Sequence, residues 1–252
     1  MDGIRLQDVK PAVDNPHSNF DLSFKRKFTC KFGQLYPIAM IPVNPDENFS
    51  VSYDFTTRFA PFVSQVYQDY RMSVDWFFVP NRLLWKNFEL FMKGGWDGNQ
   101  EYVHPYLNFN KLSLDLPGPN FGGIVNLFNA LDIPQLFQTS TVKDVDPNIS
   151  ALPVAAYYRI FLDHFIAVDT PLNELRSHLY SGENYLLRDG DAGTSLALLA
   201  VRLISGNAQQ LLPATASIDD VFALLDRLYP LDYFTSARSH SQLGPIMSIP
   251  LQ

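Results

Sequence analysis

The sequence predicts a mainly β fold, a β-sandwich carrying inserted helices and long loops. Three observations lead there. Before residue 80, apolar side chains recur at every second position in three separate segments, the spacing of strands with one buried face. After Pro80 the spacing becomes that of short helices. Strands and helices do not alternate along the chain, which argues against a doubly wound parallel sheet. The composition agrees: 20 Phe and 12 Tyr favour strands and broad packed contacts, while 18 Pro divide the chain into short elements.

Residues 1–19 are polar, contain Pro11 and Pro16, and read as an extended N-terminal arm. Residues 20–252 read as a single domain, with helical and loop insertions over about 96–230. In the first predicted strand, Phe24, Phe28, Cys30 and Phe32 share one face and Lys25, Lys27, Thr29 and Lys31 the other, with Arg26 interrupting the apolar row. Cys30 is expected to be a small buried hydrophobe there. Pro37, Pro42 and Pro45 make the next stretch an irregular edge.

The second strand has the cleanest pattern. Phe49, Val51, Tyr53, Phe55, Thr57 and Phe59 alternate with Ser50, Ser52, Asp54, Thr56 and Arg58. The third has Met72, Val74, Trp76 and Phe78 on one face. Phe77 and Val79 make its end apolar on both faces, which predicts deep burial.

Past Pro80, Asn81 is placed to cap a helix carrying Leu84, Phe88, Phe91 and Met92, which Gly94 and Gly95 end. Residues 96–121 read as loop. Ile124, Leu127, Phe128 and Leu131 form a short helical stripe before Pro134. Val154, Tyr157, Tyr158, Phe161, Leu162 and Phe165 form a stronger one, with Pro153 in its first turn. Leu196, Leu199, Ala200 and Leu203 predict a helix ending near Gly206. Ser217 and Asp220 open a last one that runs through Leu224, Leu225 and Leu228 to Pro230.

The charge of −7 argues against a dedicated nucleic-acid-binding domain, which is usually basic. A single cysteine excludes an internal disulfide and a multi-cysteine metal site. No apolar run approaches the roughly 18 residues of a membrane span, and the N-terminus lacks the order of a signal peptide. The chain holds no dinucleotide-binding glycine motif, phosphate-binding loop, nucleophile elbow or zinc-protease motif. No cofactor, metal or catalytic residue is therefore expected. The five histidines are dispersed, and His164, beside an apolar stripe, reads as structural. Asp189 and Asp191 look like a fragment of a calcium loop, but the distant Glu is missing and a turn before a helix cap fits better. Asp144 and Asp146 read as a solvated loop.

Two groups remain as candidate contacts. Lys25, Lys27 and Lys31 on one strand face could meet DNA phosphates or a neighbouring subunit, or could simply protect an exposed strand from edge pairing. Phe62, Tyr67, Tyr70, Trp96, Tyr102 and Tyr106 could be inter-subunit aromatics or could pack in the core of their own domain.

The stretches Asn19–Ser23, Phe28–Pro37, Pro45–Phe49 leading into the long alternating strand, and Arg58–Phe62 follow a known pattern in order. So do Trp76-Phe-Phe-Val-Pro-Asn-Arg-Leu-Leu-Trp85, Phe88–Met92, Ala151–Phe161, Asp232–Ala237, Gly244-Pro245 and Ile249–Leu251. In these residues the sequence resembles the major capsid protein of the Microviridae, particularly the gokushovirus-like branch. Residues 166–230 follow that pattern only weakly.

The resemblance implies a viral jelly-roll β-sandwich with long inserted loops. Many copies would form a homo-oligomeric icosahedral shell around circular single-stranded DNA. Other phage structural proteins would be partners, including a small basic DNA-packaging protein that would offset the acidic balance. It implies a virion protein assembled in the bacterial host cytoplasm, with no membrane partner and no catalytic residues. Capsid proteins of this family are longer, and a jelly roll of about eight strands needs more than are found here. The sequence thus reads as the N-terminal portion of such a subunit, whether fragment, interrupted gene or piece of a split subunit.

Two other readings stand beside it. A ligand-binding sandwich of carbohydrate-binding type would use Trp96, Tyr102 and Tyr106 as a stacking platform. A hydrolase would need a carboxylate pair such as Asp189 and Asp191.

Overall fold

The computed structural model describes residues 18–45, 47–61, 65, 67, 69–95, 102–108, 111–112, 126–133, 148–166, 172, 175–176, 186–213 and 218–227. In chain order the elements are α1 (Asn81–Leu84), α2 (Phe88–Met92), β1 (Tyr106–Asn108), α3 (Asn126–Ala130), β2 (Asn148–Ser150), α4 (Leu152–Ile160), a π-helical turn (Phe161–Phe165), α5 (Gly193–Ser205) and α6 (Ile218–Val221). One apolar core joins them, built around Trp85, Leu107, Phe128, Tyr158, Phe161, Leu196 and Phe222. Each of the largest of these side chains stabilises the fold by about 1.5–3 kcal/mol through burial.

The helices carry the core because their apolar stripes match the helical repeat. In α4, Val154, Ala155 and Tyr158 lie on the buried face, and Pro153 occupies the first turn as its spacing predicts. The helix then widens into the π turn, where Phe161 and Leu162 stay buried. Arg159 reaches one turn on to Asp163 at 2.8 Å, an ion pair bridging the change of pitch.

Helix ends follow local chemistry. Gly94 (φ 80°) and Gly206 (φ 66°) take the left-handed conformation after α2 and α5. There the next amide closes back onto a carbonyl five residues earlier, Gly95 N–H to Leu90 O at 2.8 Å and Asn207 N–H to Arg202 O at 3.2 Å. Asp132 (φ 55°) does the same after α3, with Ile133 N–H donating to Phe128 O at 2.9 Å.

Three helical expectations change. Asn81 is the first residue of α1 and not its cap, which is Pro80. The helix expected through Met92 breaks at Trp85, whose backbone is extended. Trp85 forms a parallel bridge with Leu187, and Leu187 N–H donates to Leu84 O at 3.1 Å. The tertiary contact overrides helical continuation. Likewise the helix expected to reach Pro230 ends at Val221, and Leu225–Arg227 turn to pair with Gly33–Leu35 instead.

The predicted sheet is the larger correction. No residue of 24–32, 49–59 or 72–79 belongs to a strand, and the sheet among the described residues is the antiparallel pair β1–β2, whose first strand lies in the stretch 96–121 read from the sequence as loop. Its register is Tyr106↔Ser150, Leu107↔Ile149 and Asn108↔Asn148. A period-two sequence encodes one apolar face, but it becomes a sheet only when another strand supplies backbone partners. None of these three segments finds such a partner among the described residues, and the bridge nearest to them in sequence on the N-terminal side, Gln34↔Asp226, falls just beyond the first. The apolar rows therefore stay exposed: Phe49, Val51, Tyr53, Phe55, Phe59 and Trp76 are about half exposed and Phe78 more so. Cys30 is exposed for the same reason, contrary to its predicted burial.

Candidate interaction surface

The polar groups that could have formed an active centre are engaged in holding segments together. Asp189 accepts hydrogen bonds from Trp85 Nε1 at 2.6 Å and Asn87 Nδ2 at 2.8 Å, fixing the 186–191 segment over α1. Asp191 accepts from the Gly193 amide at 3.0 Å at the start of α5 and pairs with Lys111 Nζ at 3.0 Å. The two carboxylates thus serve different elements, in line with the turn-and-cap reading and not with paired acid–base work. His164 packs its ring 4.8 Å from that of Phe77, and His104 lies edge-on to Trp85. Among the described residues no group of His, Cys, Asp and Glu could hold a metal ion, and no helix is long and apolar enough to cross a membrane.

The N-terminal segment is lashed to this core at two places that the hydrophobic pattern alone does not reveal. Arg26, a break in the apolar row by sequence, lies over the Tyr36 ring. It donates to Ile38 O at 2.6 Å, Asn129 O at 2.9 Å and Asp132 Oδ1 at 2.7 Å. A cation at the carbonyl end of α3 is favourably placed for the helix dipole. Further on, Leu35 N–H donates to Leu225 O at 2.9 Å and Arg227 N–H to Gly33 O at 2.7 Å. The Tyr157 hydroxyl joins both segments, donating to Leu35 O at 3.0 Å and accepting from Leu225 N–H at 2.9 Å.

Burial pushes the pKa of the Tyr157 phenol well above its ordinary range; the Leu225 amide opposes the shift and the Asp226 charge adds to it. Tyr158 is raised too, by burial first and by Tyr157 second, and its hydroxyl has no hydrogen-bond partner among the described residues.

The predicted contact residues distribute unevenly. Lys25, Lys27 and Lys31 are all exposed. Tyr67 is exposed, and Tyr70 stacks on Phe32 and packs tilted against Phe59, at centroid distances of 5.0 Å each. Tyr102 packs against the core and Tyr106 sits half-buried in β1, so those two rings do not stand free as a sugar-stacking platform. Phe62 and Trp96, like Asp144, Asp146, Ser217 and the arm at 1–17, lie outside the described residues.

What remains at the surface is a set of aromatic, alternating segments and a row of lysines. Residues 10–168 match the family of the capsid protein (F protein), and the chain belongs to that family. It is 27% identical over 254 aligned residues to the capsid protein VP1 of Chlamydia phage 1, a match covering 97% of this chain and 37% of that protein. It is 28% identical over 155 residues to the capsid protein VP1 of Bdellovibrio phage phiMH2K, covering 62% of this chain and 27% of that one. The chain therefore spans well under half the length of the curated relatives it matches. No solved structure matches it.

Proposed function

We propose that the chain builds part of the subunit of a small icosahedral phage shell that encloses circular single-stranded DNA, with no catalytic activity of its own. The family match over residues 10–168 carries this reading. On it, the segments 24–32, 49–59 and 72–79 are strands of a jelly-roll sandwich that pair once further strands are supplied, and their exposed apolar faces support that role. Residues 1–19 act as an arm, and 20–252 form one jelly-roll domain with insertions over about 96–230. Lys25, Lys27 and Lys31 face DNA or a neighbouring subunit, and the aromatics Phe62, Tyr67, Tyr70 and Trp96 contribute to contacts between subunits. Partners are further copies of the subunit, other phage structural proteins and a small basic DNA-packaging protein. Assembly takes place in the bacterial cytoplasm.

Co-expression with the other structural proteins of its phage, followed by electron microscopy, tests the reading. Uniform small shells containing this chain are expected. Exchanging all three lysines for serine should leave shells intact and reduce nuclease-protected DNA in them. Monomers under every assembly condition overturn the shell reading, and undiminished DNA overturns the lysine assignment.

A further inference from the structure

The segment 49–59 is written so that it can pair with itself. Its backbone forms no helix or strand, and every residue from Glu47 to Pro61 is exposed. The rings of Tyr53 and Phe55 stack at 5.6 Å with planes 5° apart, which places alternate side chains on one face, as in a strand. Asp54, Thr56 and Arg58 then occupy the other face.

Register decides what two copies would meet. In an antiparallel pair, directly opposed residues share a face, so a two-fold axis must pass through a residue position if apolar is to face apolar. Centred on Asp54 or on Arg58, the pairing sets like charges directly opposite each other. Centred on Phe55 or Thr57, it leaves both charges opposite neutral residues. Centred on Thr56, it sets Asp54 opposite Arg58 twice, Tyr53 opposite Phe59 twice, and Thr56 opposite Thr56. Opposite charges, aromatic pairs and threonine pairs are the cross-strand combinations that stabilise antiparallel sheets. The Phe32–Phe59–Tyr70 stack of each copy extends the same apolar face, so pairing joins two aromatic clusters into one. Pro61, with no N–H, ends the ladder.

We propose that this segment is an isologous contact, a strand pair with a second copy of this chain across a two-fold axis at Thr56. The contact goes beyond the capsid reading, since its test needs neither shells nor DNA. It uses one edge of the strand and leaves the other for strands of its own subunit.

Sedimentation equilibrium of the whole chain reads the association directly. The chain should dimerise, and Asp54→Arg or Arg58→Asp should each weaken the dimer about tenfold, because each makes both symmetry-related pairs like-charged. The combined exchange D54R/R58D should restore it. The substitutions lie outside the helical core, so circular dichroism should show unchanged helix content. The register has its own readout in a Cys30→Ser background, where Thr56→Cys should form an interchain disulfide on oxidation and Ser52→Cys, facing Ala60, should not. A chain that remains monomeric, or a double exchange no tighter than the single ones, overturns the proposal.

Discussion

Tyr157 and Tyr158 are neighbours in α4 and use their hydroxyls in opposite ways. The first joins Leu35 to Leu225, and the second is buried with no partner among the described residues. Removing a partnered hydroxyl strands buried groups, whereas removing an orphaned one relieves a desolvation cost. Tyr157→Phe should therefore cost about 1–3 kcal/mol in chemical unfolding, and Tyr158→Phe should be neutral or stabilise by up to about 1 kcal/mol. Both phenols are held above the ordinary value of 10.0, so above that pH the unfolded chain releases protons that the folded chain keeps. The unfolded state then binds fewer protons, and stability falls with rising pH by about 1.4 kcal/mol per unit for each tyrosine. Tyr158→Phe should roughly halve that part of the slope; an unchanged slope above pH 10 sinks the assignment.

Among the elements, the helix ends marked by glycine agree best with the sequence, whereas the expected cap at Asn81 and stop at Pro230 do not hold. Gly206 was legible as a stop because a left-handed residue after a helix costs glycine least, and α5 ends there. Gly206→Ala has open space for its methyl group but must hold φ at +66°, so a loss of about 1 kcal/mol is expected in thermal unfolding. Asp132 plays the same part and was not legible, because the residue that usually signals such an end is glycine. The core stripe from Val154 to Leu162 was legible because all its contacts repeat at helical spacing. The break at Trp85 was not, since it depends on Leu187, a residue far along the chain. Alternation in 49–59 was read as a strand, yet pairing is a property of two segments and a pattern specifies only one. Of the candidate contacts, the exposure of the lysine row follows from composition, while Arg26 was seen only as an interruption because its partners Asn129 and Asp132 are distant.

For the whole molecule, stability and association reside in different parts of the chain. The helical portion holds the buried core, and the segment 47–61 holds apolar side chains that add almost nothing to it. This division makes an unequal prediction for substitutions of similar chemistry. Phe128, fully buried against Phe222 at 4.8 Å, should cost about 3–5 kcal/mol as Phe128→Ala, because a cavity replaces its ring. Val51→Ser and Phe55→Ser remove side chains that are about half exposed, and should each change unfolding stability by no more than about 0.5 kcal/mol. Association should respond in reverse: the two serine exchanges should lower self-association and the binding of apolar dyes while the folded helical core persists. A monomeric chain that loses several kcal/mol on Phe55→Ser would show that this face is already packed within its own subunit. The division between core and contact surface would then be wrong.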